Sequence, residues 1–481
     1  MPAPIHAPGS IQGGSIQGGS IQGGPLQVVG AGPEGMAAAA RLSKLGHRVR
    51  LLEQNPGPGG RLGGHTAELA EGAFAWDDGP ATLLVPAALR DLFRKSGRPW
   101  ESVGELRLIE TEHRFADGSS LRLPGGSRAG QLRAVDALAP GLGGSWCDFV
   151  QGCSTDWEML RRGLFERSYA ARLDPELDRL VTTDTSLAER VGSLPDPRLR
   201  SLAAVEARLE GHLPDRAPHW LALLSYLEQR LGRWRVVGGT PALSQALVDR
   251  LAQRRVEVRT GQRVDSPLQA LEDAAAVVWA TGESPAHIGP PLAGRDADRG
   301  QHGWFDRGRR LLGAAPRLAR SREDSANQST NQSTGQSANY SGARPANQPR
   351  VLRRVHLAIE DSWPAERIVL HAEEPVEITV GPQAPSPHTA LTLTTWARLD
   401  PVAVAEEYGV SLGERIRYRR DTEFVADPSM TWSSPTTPAN QLGPHTTAER
   451  IWRANPQMTP GLGLAGAWLA AAQVAEAIGR A

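Results

Sequence analysis

Short apolar runs that end at glycine, each followed by a stretch with helical spacing, recur along this chain. The run ending Gln27-Val28-Val29 passes into Gly30-Ala31-Gly32-Pro33-Glu34-Gly35, then the alanine-rich stretch Met36–Leu45, then Val49-Arg50-Leu51-Leu52 closed by Glu53. The periodicity predicts strand, glycine turn, helix and strand. Pro33 suits a first helical turn, and Gly46 a helix stop. Pro86–Arg94, Trp220–Leu231 and Pro241–Gln253 read as helices, and Val256–Gly261 as a strand. Ala274–Gly282 is a continuous apolar run of the kind a buried parallel strand needs. Ile368–Val380 and Ala390–Trp396 read as sheet, and Thr459–Trp468 as a strand-like entry to a helix over Leu469–Ile478. Strands alternating with helices predict an α/β fold.

The first of these units carries chemistry. In strand–turn–helix context, Gly30 permits a tight turn, Gly32 lets backbone N–H groups approach a pyrophosphate, and Gly35 lets the helix pack on the sheet. Glu53 falls about 20 residues later, where a carboxylate binds a ribose hydroxyl. Gly30, Ala31, Gly32, Gly35 and Glu53 therefore form a candidate dinucleotide site. Just beyond lies Pro56-Gly57-Pro58-Gly59-Gly60-Arg61-Leu62-Gly63-Gly64, where the glycines, Gly60 among them, allow close backbone approach to a ligand and Arg61 offers a charge-assisted contact to phosphate or flavin.

Composition narrows the function classes. The 53 basic and 53 acidic side chains of the 481 residues cancel, so no global field favours nucleic acid or an anionic membrane. Cys147 and Cys153 do not form a C-x-x-C pair and read as passive reduced thiols. The twelve histidines show no metal-ligand spacing, and no Gly-x-Ser-x-Gly elbow marks an esterase. No metal is expected. No window matches a membrane span of ~20 apolar residues, and the N-terminus lacks a secretory pattern. Three copies of Ile-Gln-Gly-Gly near the N-terminus read as a flexible leader over 1–24, and the Asn/Gln/Ser-rich segment 321–350 as a disordered loop. His65 reads as a surface histidine before a ligand to any cofactor. Trp146, Trp157 and Trp220 read as core residues or as lining of an apolar tunnel.

The block Trp76-Asp77-Asp78-Gly79-Pro80-Ala81-Thr82-Leu83-Leu84, the Pro-x-x-Gly-Gly-Arg loop and the dinucleotide motif together resemble bacterial phytoene desaturases. More widely they are similar to the flavin oxidoreductases that include amine oxidases and protoporphyrinogen oxidase. Phe115-Ala116-Asp117-Gly118, Leu213–Pro218 and Trp234–Leu243 extend the resemblance. Two features depart from it. Ala280-Thr281-Gly282 replaces the Asn-Ala-Asp-like ending of most carotenoid-type relatives, and the Pro-Gly-rich link before the last helix reads as missing because Trp468 runs almost directly into that helix.

The resemblance implies an FAD-binding Rossmann-like domain assembled from 25–100, 232–285 and 440–481, with an inserted α+β substrate domain over 101–231 and 286–439. It implies FAD contacts from Gly79, Pro80, Val264 (backbone, to the adenine) and Gly466 (beside the ribityl chain), in addition to Arg61. It implies an oxidoreductase that removes a hydride and a proton from an apolar isoprenoid substrate to form a C=C bond, with peripheral contact to the cytoplasmic face of a membrane. No catalytic acid or base is assigned, and the oligomeric state is open. Two alternatives stay open: an amine- or porphyrinogen-oxidising flavoprotein, and a non-catalytic relative acting as a binding partner in a biosynthetic assembly.

Overall fold

The apolar run Leu26–Val29 becomes the central strand of a parallel sheet in the computed structural model, which describes residues 24–165, 173–281, 350–396, 398–425, 432, 444, 446, 448, 450–455, 458–459 and 461–481. Its strands are β1 (Leu26–Val29), β2 (Val49–Leu52), β3 (Glu257–Arg259), β4 (Ala276–Trp279) and β5 (Ile451–Arg453). They lie in the order β3-β2-β1-β4-β5, every neighbouring pair parallel. Helices cover both faces of such a sheet, which is why β1 and β4 are apolar without alternation and buried throughout. The strand order reverses between β1 and β4, so a crevice opens beyond their C-terminal ends, the usual ligand position in this class. The fold is α/β with a Rossmann-like sheet drawn from separated stretches of chain. The leader and nearly all of the 321–350 segment lie outside the described residues.

Four helices position the site: α1 (Pro33–Lys44), α2 (Pro197–Leu209), α3 (Gly239–Gln253) and α4 (Gly463–Ile478). The α4 boundary corrects the sequence reading. Residues 462–473 contain no β-branched side chain and are rich in Ala and Leu, so helix propensity carries the helix back to Gly463. The last strand of the sheet is instead β5, and Gly461 and Gly463, both at positive φ, supply the glycine-rich link that seemed missing. α4 lies parallel to α1: the Ala481 N–H donates to the Leu45 carbonyl, and His47 Nε2 sits 2.9 Å from the Gly479 carbonyl. With their C-termini joined, both helices direct their N-termini to the crevice.

A second, seven-stranded mixed sheet is built mainly from 351–425 and completed by Thr111–Arg114 and Ser120–Leu123. Asp117-Gly118 turns between those last two strands, as the motif predicts, with the Ser119 N–H donating to Asp117 Oδ1. Between the sheets, Trp146, Trp157 and Trp220 are buried core residues, and Trp146 Nε1 donates to Gln131 Oε1. Both cysteines are buried and form no disulfide; burial pushes the Cys153 thiol up to about 11, too high for a reactive thiolate. Among the described residues, no helix is long and apolar enough to cross a membrane, and no cluster of metal-ligating side chains occurs.

Three buried histidines make stability pH-dependent. Burial, aided by nearby arginines, brings His212 down to about 4 and holds His113 and His371 well below the ordinary histidine value of 6.5. Unfolded, all three protonate as pH falls through 6.5; folded, they do not. The unfolded state then binds more protons, so stability must fall with acidification below pH 6.5, by up to about 1.4 kcal/mol per pH unit for each histidine. Urea unfolding at pH 7.5, 6.5 and 5.5 measures this; a flat profile would show that the histidines charge within the fold.

Candidate functional site

The site is built where β1 runs into α1. Gly30 holds φ +98°, and a Cβ there would lie 2.8 Å from the Ala280 carbonyl of the neighbouring strand end. A Cβ on Gly35 would fall 1.8 Å from the Gly30 carbonyl, so helix and turn touch only because both residues are glycine. Gly32 differs. A Cβ there meets only Glu34 Oε2, at 3.6 Å, so its missing side chain leaves open space above the α1 N-terminus. No side chain caps that terminus, and Pro33 has no N–H to satisfy. Backbone donors and helix dipole together make this an anion-binding end.

Glu53, buried at the end of β2, reaches back across the turn. Its Oε2 accepts from the Ala31 N–H at 2.8 Å, and its Oε1 accepts from the Asn55 backbone and side-chain amides, both at 2.8 Å. These bonds fix the carboxylate at the crevice, where a ribose would lie. The Gln262 N–H donates to the Glu53 carbonyl, and Val264, half-buried, packs against the cluster that contains Val29 and Leu52.

The arginine loop closes over the turn. Gly60–Leu62 forms a short helical turn, and a Cβ on Gly60 would lie 2.9 Å from Gly32 Cα. Arg61 Nη2 donates to Glu34 Oε1 at 2.6 Å, while Arg61 Nε is buried without a partner. Gly79 supports this loop from behind: a Cβ on it would sit 1.7 Å from the Arg61 carbonyl. Pro80, half-buried, follows it. Gly79→Ala should therefore push the arginine turn off Gly32 and lower affinity for ADP, measured by titration calorimetry; unchanged affinity would show that the loop does not serve the site.

Gly466 is the fourth residue of α4. It lies inside the first turns of α4, where its would-be Cβ is 2.7 Å from the Thr459 carbonyl and its own carbonyl accepts from Thr459 Oγ1. The strand end expected there is provided by β5, whose next residue, Ala454, donates its N–H to the Trp279 carbonyl. Asn455 follows, buried, with Oδ1 unpartnered. The Gly238-Gly239 turn also has a structural role: it lets Asp77 Oδ1 accept from the Thr240 N–H at 2.6 Å at the start of α3, while Asp77 Oδ2 accepts from Arg235. His65 stacks on Trp76 and shares a 3.0 Å hydrogen bond with the Tyr418 hydroxyl.

The sequence did not single out Glu34, Asn455 or Glu210. Glu210, at the C-terminal end of α2, is exposed to solvent. Its Oε1 is 3.3 Å from the Cβ position of Gly463, at the α4 N-terminus. Glu34 was legible as part of the motif, but nothing in sequence links Glu210 to residues hundreds of positions away. A separate pocket of about 520 Å³, with Arg107, Arg235 and Glu366 in its lining, contains none of the expected site residues.

Arg61 Nε, Asn455 Oδ1 and the open space over Gly32 fit a dinucleotide. Residues 28–96 match the family model for an NAD(P)-binding Rossmann-like domain. The chain is 26% identical over 279 residues to 4,4'-diapolycopene oxygenase of a Methylomonas species, covering 53% of this chain and 52% of that protein. It is 25% identical over 233 residues to a 4,4'-diapophytoene desaturase (4,4'-diaponeurosporene-forming) of Staphylococcus aureus, covering 46% and 45%. The matches thus span about half the length of these curated relatives. In fold it is similar to putrescine oxidase (TM-score 0.55, 14% identity, 95% of this chain and 98% of that one) and to cyclohexylamine oxidase of Brevibacterium oxydans (TM-score 0.54, 14% identity, 95% and 98%). Over about half its length the chain is thus similar in sequence to these carotenoid-modifying enzymes, and over nearly all of it, it shares the fold of the two amine oxidases.

Proposed function

We propose that this chain is an FAD-dependent oxidoreductase of the desaturase type, acting on an apolar isoprenoid-type substrate. The observation that carries the reading is the pairing of two parallel helices, α1 and α4, whose N-termini open on one crevice that also holds Glu53 and Arg61. Two positive helix ends suit a cofactor with a pyrophosphate at one end and a ring that becomes anionic on reduction at the other. Glu53 would hold the ribose, Arg61 and the Gly32 backbone the pyrophosphate, and Asn455 the chain leading to the ring.

When bound, FAD supplies hydride acceptance, the difficult step of forming a C=C bond. The protein's share is orientation and exclusion of water. Glu210 places a carboxyl group at the α4 end. Just before α4, Leu221 meets Gly461, next to the packed rings of Trp220 and Trp432, whose centroids are 5.5 Å apart. The sequence similarity to carotenoid-modifying enzymes supports an isoprenoid over an amine or porphyrinogen. The non-catalytic alternative loses its main support, because Gly461 and Gly463 restore the link on which it depended. Peripheral membrane contact belongs to the same proposal, and the exposed Phe424, Val425 and Val351, adjacent at one sheet edge, are suited to it.

The test is the absorption spectrum of the purified protein, with the released cofactor identified, followed by anaerobic incubation with an acyclic isoprenoid polyene and, separately, with amines. Stoichiometric FAD and a red-shifted polyene spectrum are expected. A protein that stays colourless in excess FAD would overturn the reading, and bleaching of the flavin by amines alone would replace the substrate class.

A further inference from the structure

Resting on the FAD reading, we propose that Glu34 is a built-in stand-in for the cofactor's pyrophosphate: in the cofactor-free chain its carboxylate occupies the anion site, and it must leave for FAD to bind. Three observations converge. Glu34 is the second residue of α1, 5% exposed, on a helix end without a side-chain cap. Apart from its chain neighbours, no atom but Glu34 Oε2, at 3.6 Å, lies within 4 Å of the Cβ position on Gly32, so the carboxylate borders the space that this glycine opens. Its Oε1 holds Arg61 at 2.6 Å. Independently, Arg61 Nε is buried with no partner, which leaves donor capacity that one carboxylate oxygen does not use and a larger oxyanion would.

The chemistry follows from charge. An acid in the first turn stabilises a helix, so Glu34 favours the cofactor-free state. A pyrophosphate brought to the same end meets a negative neighbour and competes with it for Arg61. FAD therefore binds only as Glu34 swings out and releases the guanidinium. The arrangement holds Arg61 in place before the cofactor arrives, and in exchange lowers affinity for any ligand with a phosphate there. Riboflavin, which has no phosphate, is indifferent to it.

Glu34→Gln keeps the size of the side chain and removes the charge. Titrating apo-protein with FAD, ADP and riboflavin, by flavin fluorescence and calorimetry, should show FAD and ADP binding about tenfold more tightly to the variant than to wild type, with riboflavin unchanged. Without ligand, the variant should melt lower than wild type, and with saturating FAD the ligand-induced rise should be larger. Glu34→Ala, checked for folding by circular dichroism, should tighten FAD binding in the same direction. If wild type binds FAD and both variants bind it equally or more weakly, Glu34 serves to orient Arg61 for the phosphate and the proposal fails. If none of the proteins binds FAD or ADP, the functional reading fails and takes this proposal with it.

Discussion

Replacing Glu53 with alanine should weaken FAD and ADP binding by about 10- to 100-fold, the worth of one or two hydrogen bonds to a buried carboxylate at roughly 1.5–3 kcal/mol. The loss has two parts. The ribose hydroxyls lose their acceptor, and the Ala31 N–H, together with both Asn55 amides, loses the partner that fixes the turn. Glu53→Gln separates them, because an amide oxygen can still accept from Ala31 while the charge is gone; its defect should be smaller. Calorimetric titration with ADP isolates this end of the cofactor from the flavin end. Unchanged affinity in Glu53→Ala would show that the nucleotide lies elsewhere.

Arg233→Met should destabilise the fold by about 3–5 kcal/mol, because it leaves buried carboxylates without compensation. Arg233, 5% exposed, pairs through Nη2 with Glu206 at 2.8 Å and through Nε with Glu228 at 2.9 Å. Arg367 completes the chain of charges, to Glu206 at 2.9 Å and Glu377 at 2.6 Å, and so ties α2 to the second sheet. Burial alone would raise the Glu206 carboxyl, but Arg233 and Arg367 outweigh it and hold it below its ordinary 4.5. Glu206 thus stabilises the wild type above that pH and loses its contribution as pH falls through the carboxylate range. In Arg233→Met the sign reverses: a carboxyl short of partners takes up a proton on folding, so the deficit should shrink between pH 7 and pH 5. Urea midpoints at the two pH values measure both effects. A deficit under 1 kcal/mol at pH 7 would mean that Arg367 alone neutralises the cluster.

Much of the turn between β1 and α1 was readable from sequence because its constraints are local. Gly30, Gly32 and Gly35 sit within one turn, and each is dictated by a clash or an opening that the motif spacing anticipates. Arg61 and Gly79 were legible for a related reason, since the chain returns to the same turn within fifty residues of Gly30. The start of α4 was not. Gly466 lay in an apolar stretch whose length fits either a strand into a helix or a helix alone, and tertiary pairing of Ile451–Arg453 with β4 decided between them.

By itself, then, the sequence determined the α/β class, the β1–α1–β2 unit and the acid at its end, because hydrophobic periodicity and glycine placement act over a few residues. Only the tertiary structure decided what faces what across the crevice. It set α4 beside α1, brought Glu210 from α2 to the α4 N-terminus, and buried the Arg233 and Arg367 charges among Glu206, Glu228 and Glu377. Such contacts depend on how separated segments pack, and charge pairing between distant residues leaves no periodic trace in the chain.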